Sequence, residues 1–212
     1  QKAVRARDVA DFEKMYRIIN NDPQNEILWV PAAAVKKIQK ARYAEMVLHE
    51  MWCVANLRIK SVEIQGDSAA VRFHNPESRI QFEHPWPRPM VTKDGHNSAF
   101  YLTNAMELLD EPGEWYHDIE SRKIYYYPRK GEKISKAVVP GIETLVWVEG
   151  TIDRPVKHIR FDNVTFQYTT WMRPSLQGHV PLQAGMYMTD GYKIRPSMIR
   201  KNNHKLDNQG WL

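Results

Sequence analysis

A mainly β protein is what this sequence predicts, with short strands wound into a coiled parallel sheet in its last third, an inserted antiparallel β module ahead of that, and short helices at its start. Three observations carry the expectation. Residues 145–150, 156–161 and 164–166 are short runs of apolar–polar alternation parted by polar corners such as Asp162-Asn163, a rhythm that suits stacked sheet turns better than hairpins. Leu57, Ile59, Val62 and Ile64 alternate with a change of phase near Ser61, pass Gly66-Asp67, and return through residues 70–74, which is a hairpin pattern. Val9, Phe12, Met15, Ile18 and Ile19 fall at helical spacing behind Asp8, a residue able to cap a helix.

That spacing predicts a helix over 7–22, ended by Asn20, Asn21, Asp22 and Pro23. Residues 26–30 form a brief apolar strand stopped by Pro31, and the Ala- and Lys-rich residues 32–41 predict a second short helix with Pro31 at its first turn. Residues 46–64 are rich in β-branched and aromatic types. The stretch His84-Pro85-Trp86-Pro87-Arg88-Pro89 admits neither a regular helix nor a central strand. Strand character resumes over 98–103, and Pro112-Gly113 turns the chain into a strand at Trp115-Tyr116, which returns through residues 124–128. In the last third, Asn163 is a residue type that tolerates the left-handed backbone of a sharp corner. The expected organisation is residues 1–44 as an N-terminal segment of the coil, 45–135 as the inserted module, and 136–212 as an incomplete run of sheet turns and loops. Polypeptide beyond Leu212 is expected to complete the coil's interior, because stacked repeats bury a core only together.

The net charge of +5 and pI of about 9.2 are spread along the chain, and no run of five Lys/Arg occurs, so neither a nucleic-acid nor an anionic-membrane footprint is expected. No apolar stretch reaches the ~18 residues of a bilayer span. Cys53 is the single cysteine, which excludes an intrachain disulfide; its apolar setting reads as a small buried hydrophobe. The eight histidines are scattered without a His-x-x-x-His pair, and no Asp-rich calcium loop is present, so no metal or other cofactor is expected.

The block Phe100-Tyr101-Leu102-Thr103-Asn104-Ala105, then Leu109-Asp110-Glu111-Pro112-Gly113-Glu114-Trp115-Tyr116, then Ile124-Tyr125-Tyr126-Tyr127-Pro128, resembles a recurring block of large bacterial right-handed parallel β-helix proteins of the glycoside-hydrolase type. There it closes a small β-rich module inserted into the helix. Glu143-Thr144-Leu145-Val146, residues 156–166 and Thr169-Thr170-Trp171-Met172-Arg173-Pro174-Ser175 resemble the turns that follow. The resemblance covers roughly residues 45–190. It implies a carbohydrate-active enzyme cleaving glycosidic bonds of a complex polysaccharide, in a secreted, periplasmic or cell-surface setting. It also implies that the inserted module borders the active cleft, that the acids come from later turns, and that the rest of the β-helix is this segment's partner.

Glycosidic hydrolysis uses two carboxyl groups about 5–10 Å apart. Glu50, Glu83, Glu114, Asp118 and Asp190 are the candidates, although Glu114 and Asp118 sit where a carboxylate commonly fixes a turn, and no catalytic pair is assigned. For binding, Trp171, Arg173, His179, Gln183 and Asp190 form the richest polar–aromatic group, set on loops by Pro174, Gly178, Pro181 and Gly185. Trp offers a face for a sugar ring, while Arg, Gln and His bond hydroxyls; a packed Trp–Arg stack is the structural alternative. His49 and Trp52 are a second candidate pair, with core packing as the alternative. Three functions stay open: a hydrolase, a lyase acting on an acidic glycan, and a non-catalytic glycan-binding protein.

Overall fold

The computed structural model describes residues 3–83 and 88–181. The chain divides into two compact units, one formed by Gln1–Lys130 with the segment from Arg173 onward, the other by Gly131–Met172.

The first unit is built on β1 (Val4–Arg5), β2 (Tyr16–Arg17), β3 (Asn20–Asp22), β4 (Ile27–Pro31), β5 (Glu45–His49), β6 (Val54–Gln65), β7 (Ser68–Phe73), β8 (Ala99–Thr103), β9 (Glu114–Asp118) and β10 (Lys123–Tyr126). Short helices α1 (Ala32–Val35), α2 (Glu77–Glu83) and α3 (Arg173–Gln177) accompany them. Seven strands make one antiparallel sheet in the order β2-β8-β5-β6-β7-β4-β3. The other three form a small sheet, β1-β9-β10, in which only the β1–β9 pairing is parallel.

Period-two alternation decides which face is core. Met46 and Leu48 on β5, Ala55 and Leu57 on β6, and Phe100 and Leu102 on β8 are all fully buried on one face. Leu28 and Val30 of β4, Val71 of β7 and Ile80 of α2 join the same core. Burying each such Leu, Ile or Phe stabilises the fold by about 1.5–3 kcal/mol.

Strand β6 serves two partners. Its first half pairs with β5 and its second half with β7, and the register shifts between Ile59 and Ser61. The inward phase passes there from Ala55, Leu57 and Ile59 to Val62 and Ile64, the change of phase that the sequence shows near Ser61. Gly66, at φ +61°, turns β6 into β7.

Two expectations are corrected. The coiled parallel sheet, and with it the right-handed parallel β-helix, is not formed: the described sheets are antiparallel apart from the two-residue β1 pairing, and residues 137–172 hold no strand. The alternation over 145–166 is real, and Asn163 does take a left-handed corner (φ 57°), as do His158 and Tyr168. A strand is defined by its hydrogen-bonded neighbour, however, and no described segment pairs with this one. Most of its apolar side chains are accordingly exposed, Trp147 by 76% and Ile152 by 99%. Inside this second unit, Thr151 and Arg154 exchange backbone bonds, Thr170 N–H donates to Ile142 O, and Phe161 meets Phe166 edge-on at 5.3 Å.

The helix expected over 7–22 is also absent. A single 3-10 turn, Phe12–Lys14, separates short strands, because Tyr16 and Arg17 pair with β8 and the Asp8 carboxylate accepts the Leu102 N–H at 2.7 Å instead of capping a helix. The short helix after Pro31 is present as α1, continued by the 3-10 turn Lys36–Ile38.

Candidate functional site

The face of β5, β6 and β8 opposite the core is polar. By register it carries Glu45, Val47 and His49 from β5, Val54, Asn56 and Arg58 from β6, and Tyr101 and Thr103 from β8. The segment after α3 extends this surface: Asn56 and His179 exchange N–H···O=C bonds, both at 2.8 Å, so His179 lies beside Asn56 as one more sheet position. His179, Asn56, Val47 and Tyr101 therefore form one cross-strand row. His49 sits nearer the β5–β6 hairpin tip, its ring centroid 6.1 Å from that of Tyr101.

Two ion pairs, each between a buried carboxylate and a partly exposed arginine, fix this face. The Arg5 guanidinium donates to both oxygens of Glu45 (3.0 and 3.2 Å) and to Ser175 Oγ (2.7 Å), and Asn104 Nδ2 adds a bond to Glu45 at 3.1 Å. Arg58 likewise forks onto Glu77 (2.7 and 2.9 Å) and donates to Leu176 O at 2.5 Å. Gly178, at φ +71°, packs so closely there that an added Cβ would lie 2.5 Å from the Glu77 Cβ. Both pairs thus clamp the α3 segment, and His179 with it, against the sheet.

The hairpin tip holds a shielded acid. Glu50 accepts hydrogen bonds from Gln81 Nε2 (2.7 Å) and the Cys53 thiol (3.2 Å), while its own N–H donates to Cys53 O at 2.9 Å. Burial outweighs those bonds and pushes the Glu50 carboxyl up to about 7. Burial and the adjacent Glu50 charge push the Cys53 thiol up as well, so it is a packed thiol and not a thiolate nucleophile. Burial holds His49 below the ordinary imidazole range; at His179 burial does the same, helped by the Arg173 charge. A neutral imidazole both donates and accepts, which matches a hydroxyl-rich ligand.

The raised Glu50 carboxyl predicts a pH dependence. Its folded value lies above its value of 4.5 in water, so the folded state holds its proton more tightly than the unfolded state does. The stability linked to that proton is fully present below about 4.5 and is lost as pH rises through about 7. Glu50→Gln is expected to flatten this slope and to melt higher than the parent chain at pH 8. Parallel melting-temperature profiles for the two chains from pH 4.5 to 8 would show that the carboxyl is not perturbed.

Of the residues singled out for binding, His49 and His179 come together on the sheet face. Trp52 stands 58% exposed at the hairpin tip, and Arg173 opens α3. Trp171 is exposed in the other unit. Gln183 and Asp190 lie outside the described residues. Among the acids, Glu83 pairs with Arg79 at 2.8 Å. Glu114 accepts the N–H groups of Arg7, Asp110 and Glu111, and Asp118 accepts those of Glu120 and Ser121; both therefore fix turns. Sequence reasoning missed Tyr101, Asn56 and Gln81. Strand alternation pointed to Tyr101, between the inward Phe100 and Leu102, whereas the reach of Gln81 to Glu50 had no local signal. Among the described residues no three His, Cys, Asp or Glu side chains group as a metal site, and no helix is long and apolar enough to cross a membrane.

Comparison with known proteins gives two matches. The family described as "GH141 insertion domain" matches over residues 1–129. A solved structure titled "Glycoside hydrolase" is 70% identical with a TM-score of 0.84, over 94% of this chain and 35% of that chain. The chain thus spans about a third of the length of that relative. No curated protein matches.

Proposed function

Given that the chain belongs to the GH141 insertion domain family, we propose that it is the glycan-contacting part of a carbohydrate-active enzyme that hydrolyses glycosidic bonds of a complex polysaccharide, the catalytic carboxylate pair being supplied largely by polypeptide outside this chain. The 70% identity to a glycoside hydrolase carries the reading. The carboxylates support it: Glu45, Glu77 and Glu114 are buried and committed to a guanidinium or to backbone N–H groups. A carboxylate bound in this way is poorly placed to protonate a leaving oxygen.

The face that holds His49, Tyr101 and His179, with Trp52 at its edge, is then a sugar-binding surface: neutral imidazoles bond hydroxyls and the exposed indole offers a ring face. Trp171 and Arg173, with Gln183 and Asp190, belong to the same proposal. Affinity-gel retardation on plant polysaccharides tests it. Trp52→Ala and Trp171→Ala are each expected to weaken retention by about fivefold to tenfold, the loss of one aromatic contact. Retention unchanged in both variants would discard these residues as sugar contacts.

A further inference from the structure

An aromatic cavity in the first unit is lined by residues outside that face. It has a volume of about 290 Å³ and gathers Tyr43, Tyr116 and Tyr125 with charged side chains at its rim. That volume sits at the lower end of the range for small-ligand pockets, about 300 Å³. Tyr116 and Tyr125 are opposed across β9 and β10, their rings 6.4 Å apart and within 27° of parallel. Tyr116 is buried and anchors the wall, while Tyr125 and Tyr43 are half-buried and present surface to the cavity.

The rim is partly committed. Arg42 is paired with Glu120, and Asp118 spends one oxygen on the Glu120 and Ser121 N–H groups. Lys40 and Glu107 also line the cavity, and among the described residues neither side chain has a hydrogen bond or ion pair. The cavity thus combines ring faces, an ammonium with three donors and a carboxylate with open lone pairs. Its charges, Lys40 and Arg42 against Glu107, Asp118 and Glu120, leave an acidic excess, which repels an anionic ligand.

We propose that this cavity is a subsite for one neutral pyranose ring. The apolar face of the sugar packs on Tyr125 and Tyr43, Glu107 accepts from its hydroxyls, and Lys40 donates to a hydroxyl or ring oxygen. The inference rests on the glycan reading above and adds a separate anchoring point with its own preference, neutral over uronic sugars.

Calorimetric titration of the full chain with cello-, xylo- and galacto-hexaoses, and with a hexagalacturonide, tests it. A neutral hexaose is expected to bind, with the Kd raised about tenfold by Tyr125→Ala and by the surface change Glu107→Gln, and little changed by Tyr125→Phe, which keeps the ring. Binding by the parent chain that neither Tyr125→Ala nor Glu107→Gln weakens would overturn the subsite and leave the glycan reading standing. Tighter binding of the hexagalacturonide would overturn the neutral preference. No binding of any probe by the parent chain would overturn the subsite together with the reading beneath it.

Discussion

Arg58→Ala is expected to destabilise the chain by about 3–5 kcal/mol, because it leaves the Glu77 carboxylate buried with its main cation removed. The Glu77 side chain is 0% exposed, and among the described residues it has, besides the guanidinium, only the Arg58 backbone N–H, at 3.2 Å. The same substitution deletes the bond to Leu176 O and the bond to Asn75 O at 2.9 Å. The α3 segment should therefore loosen before the sheet melts. Urea denaturation gives the global loss, and hydrogen exchange at His179 N–H reports the local one. Replacing Arg58 and Glu77 together by apolar residues of similar size is expected to recover much of the deficit. A penalty for Arg58→Ala below about 1 kcal/mol, the range of an exposed pair, would show that Glu77 finds other solvation.

Arg5→Ala should show a comparable loss with a different pH signature. The Glu45 side chain is only 2% exposed, and burial already raises its carboxyl despite the Arg5 charge, the Ser175 hydroxyl and the Asn104 amide. Without the guanidinium the folded carboxyl rises further. The stability of a raised carboxyl is present below its unfolded value and lost as pH rises through its folded value. The penalty is therefore expected to be smaller at pH 4.5 than at pH 8 and to approach about 3–5 kcal/mol at the higher pH, where the folded carboxyl must either keep a proton that the unfolded chain releases or ionise in the interior. Arg5 also stands 5.8 Å over the Trp115 ring and ties Ser175 to the sheet, so a modest loss persists at low pH. Denaturation midpoints at the two pH values decide the matter; a penalty independent of pH would mean that Glu45 does not carry it.

Much of the sheet was legible from local pattern. Alternation through Leu57, Ile59, Val62 and Ile64, the turn at Gly66 and the strand at 98–103 are satisfied by neighbours close in sequence or by a single apolar face. The helix expected over 7–22 failed for a non-local reason: the Asp8 carboxylate and the Tyr16–Arg17 backbone are claimed by β8, more than 80 residues away, and such pairing overrides helical spacing. The rhythm at 145–166 says that one side of that chain is apolar; it does not say which strand lies alongside. The site divides in the same way. His49 and His179 were visible as residue types, but their common face depends on the Asn56–His179 pairing, and Glu50 became informative only once Gln81 and Cys53 closed around it.

The register shift in β6 has a consequence for how this sequence tolerates change. Lys60 is exposed and falls at the step between Ile59 and Ser61, so almost any side chain is acceptable there. It is also the extra residue of the step, with no partner position on β7. A chain shortened by one at position 60 would close the step into plain alternation, with Ile59, Val62 and Ile64 all still inward and still opposite Phe73, Val71 and Ala69. Position 60 is thus free in identity and spare in number, whereas an insertion or deletion elsewhere in the strand would turn one half of its apolar face to water.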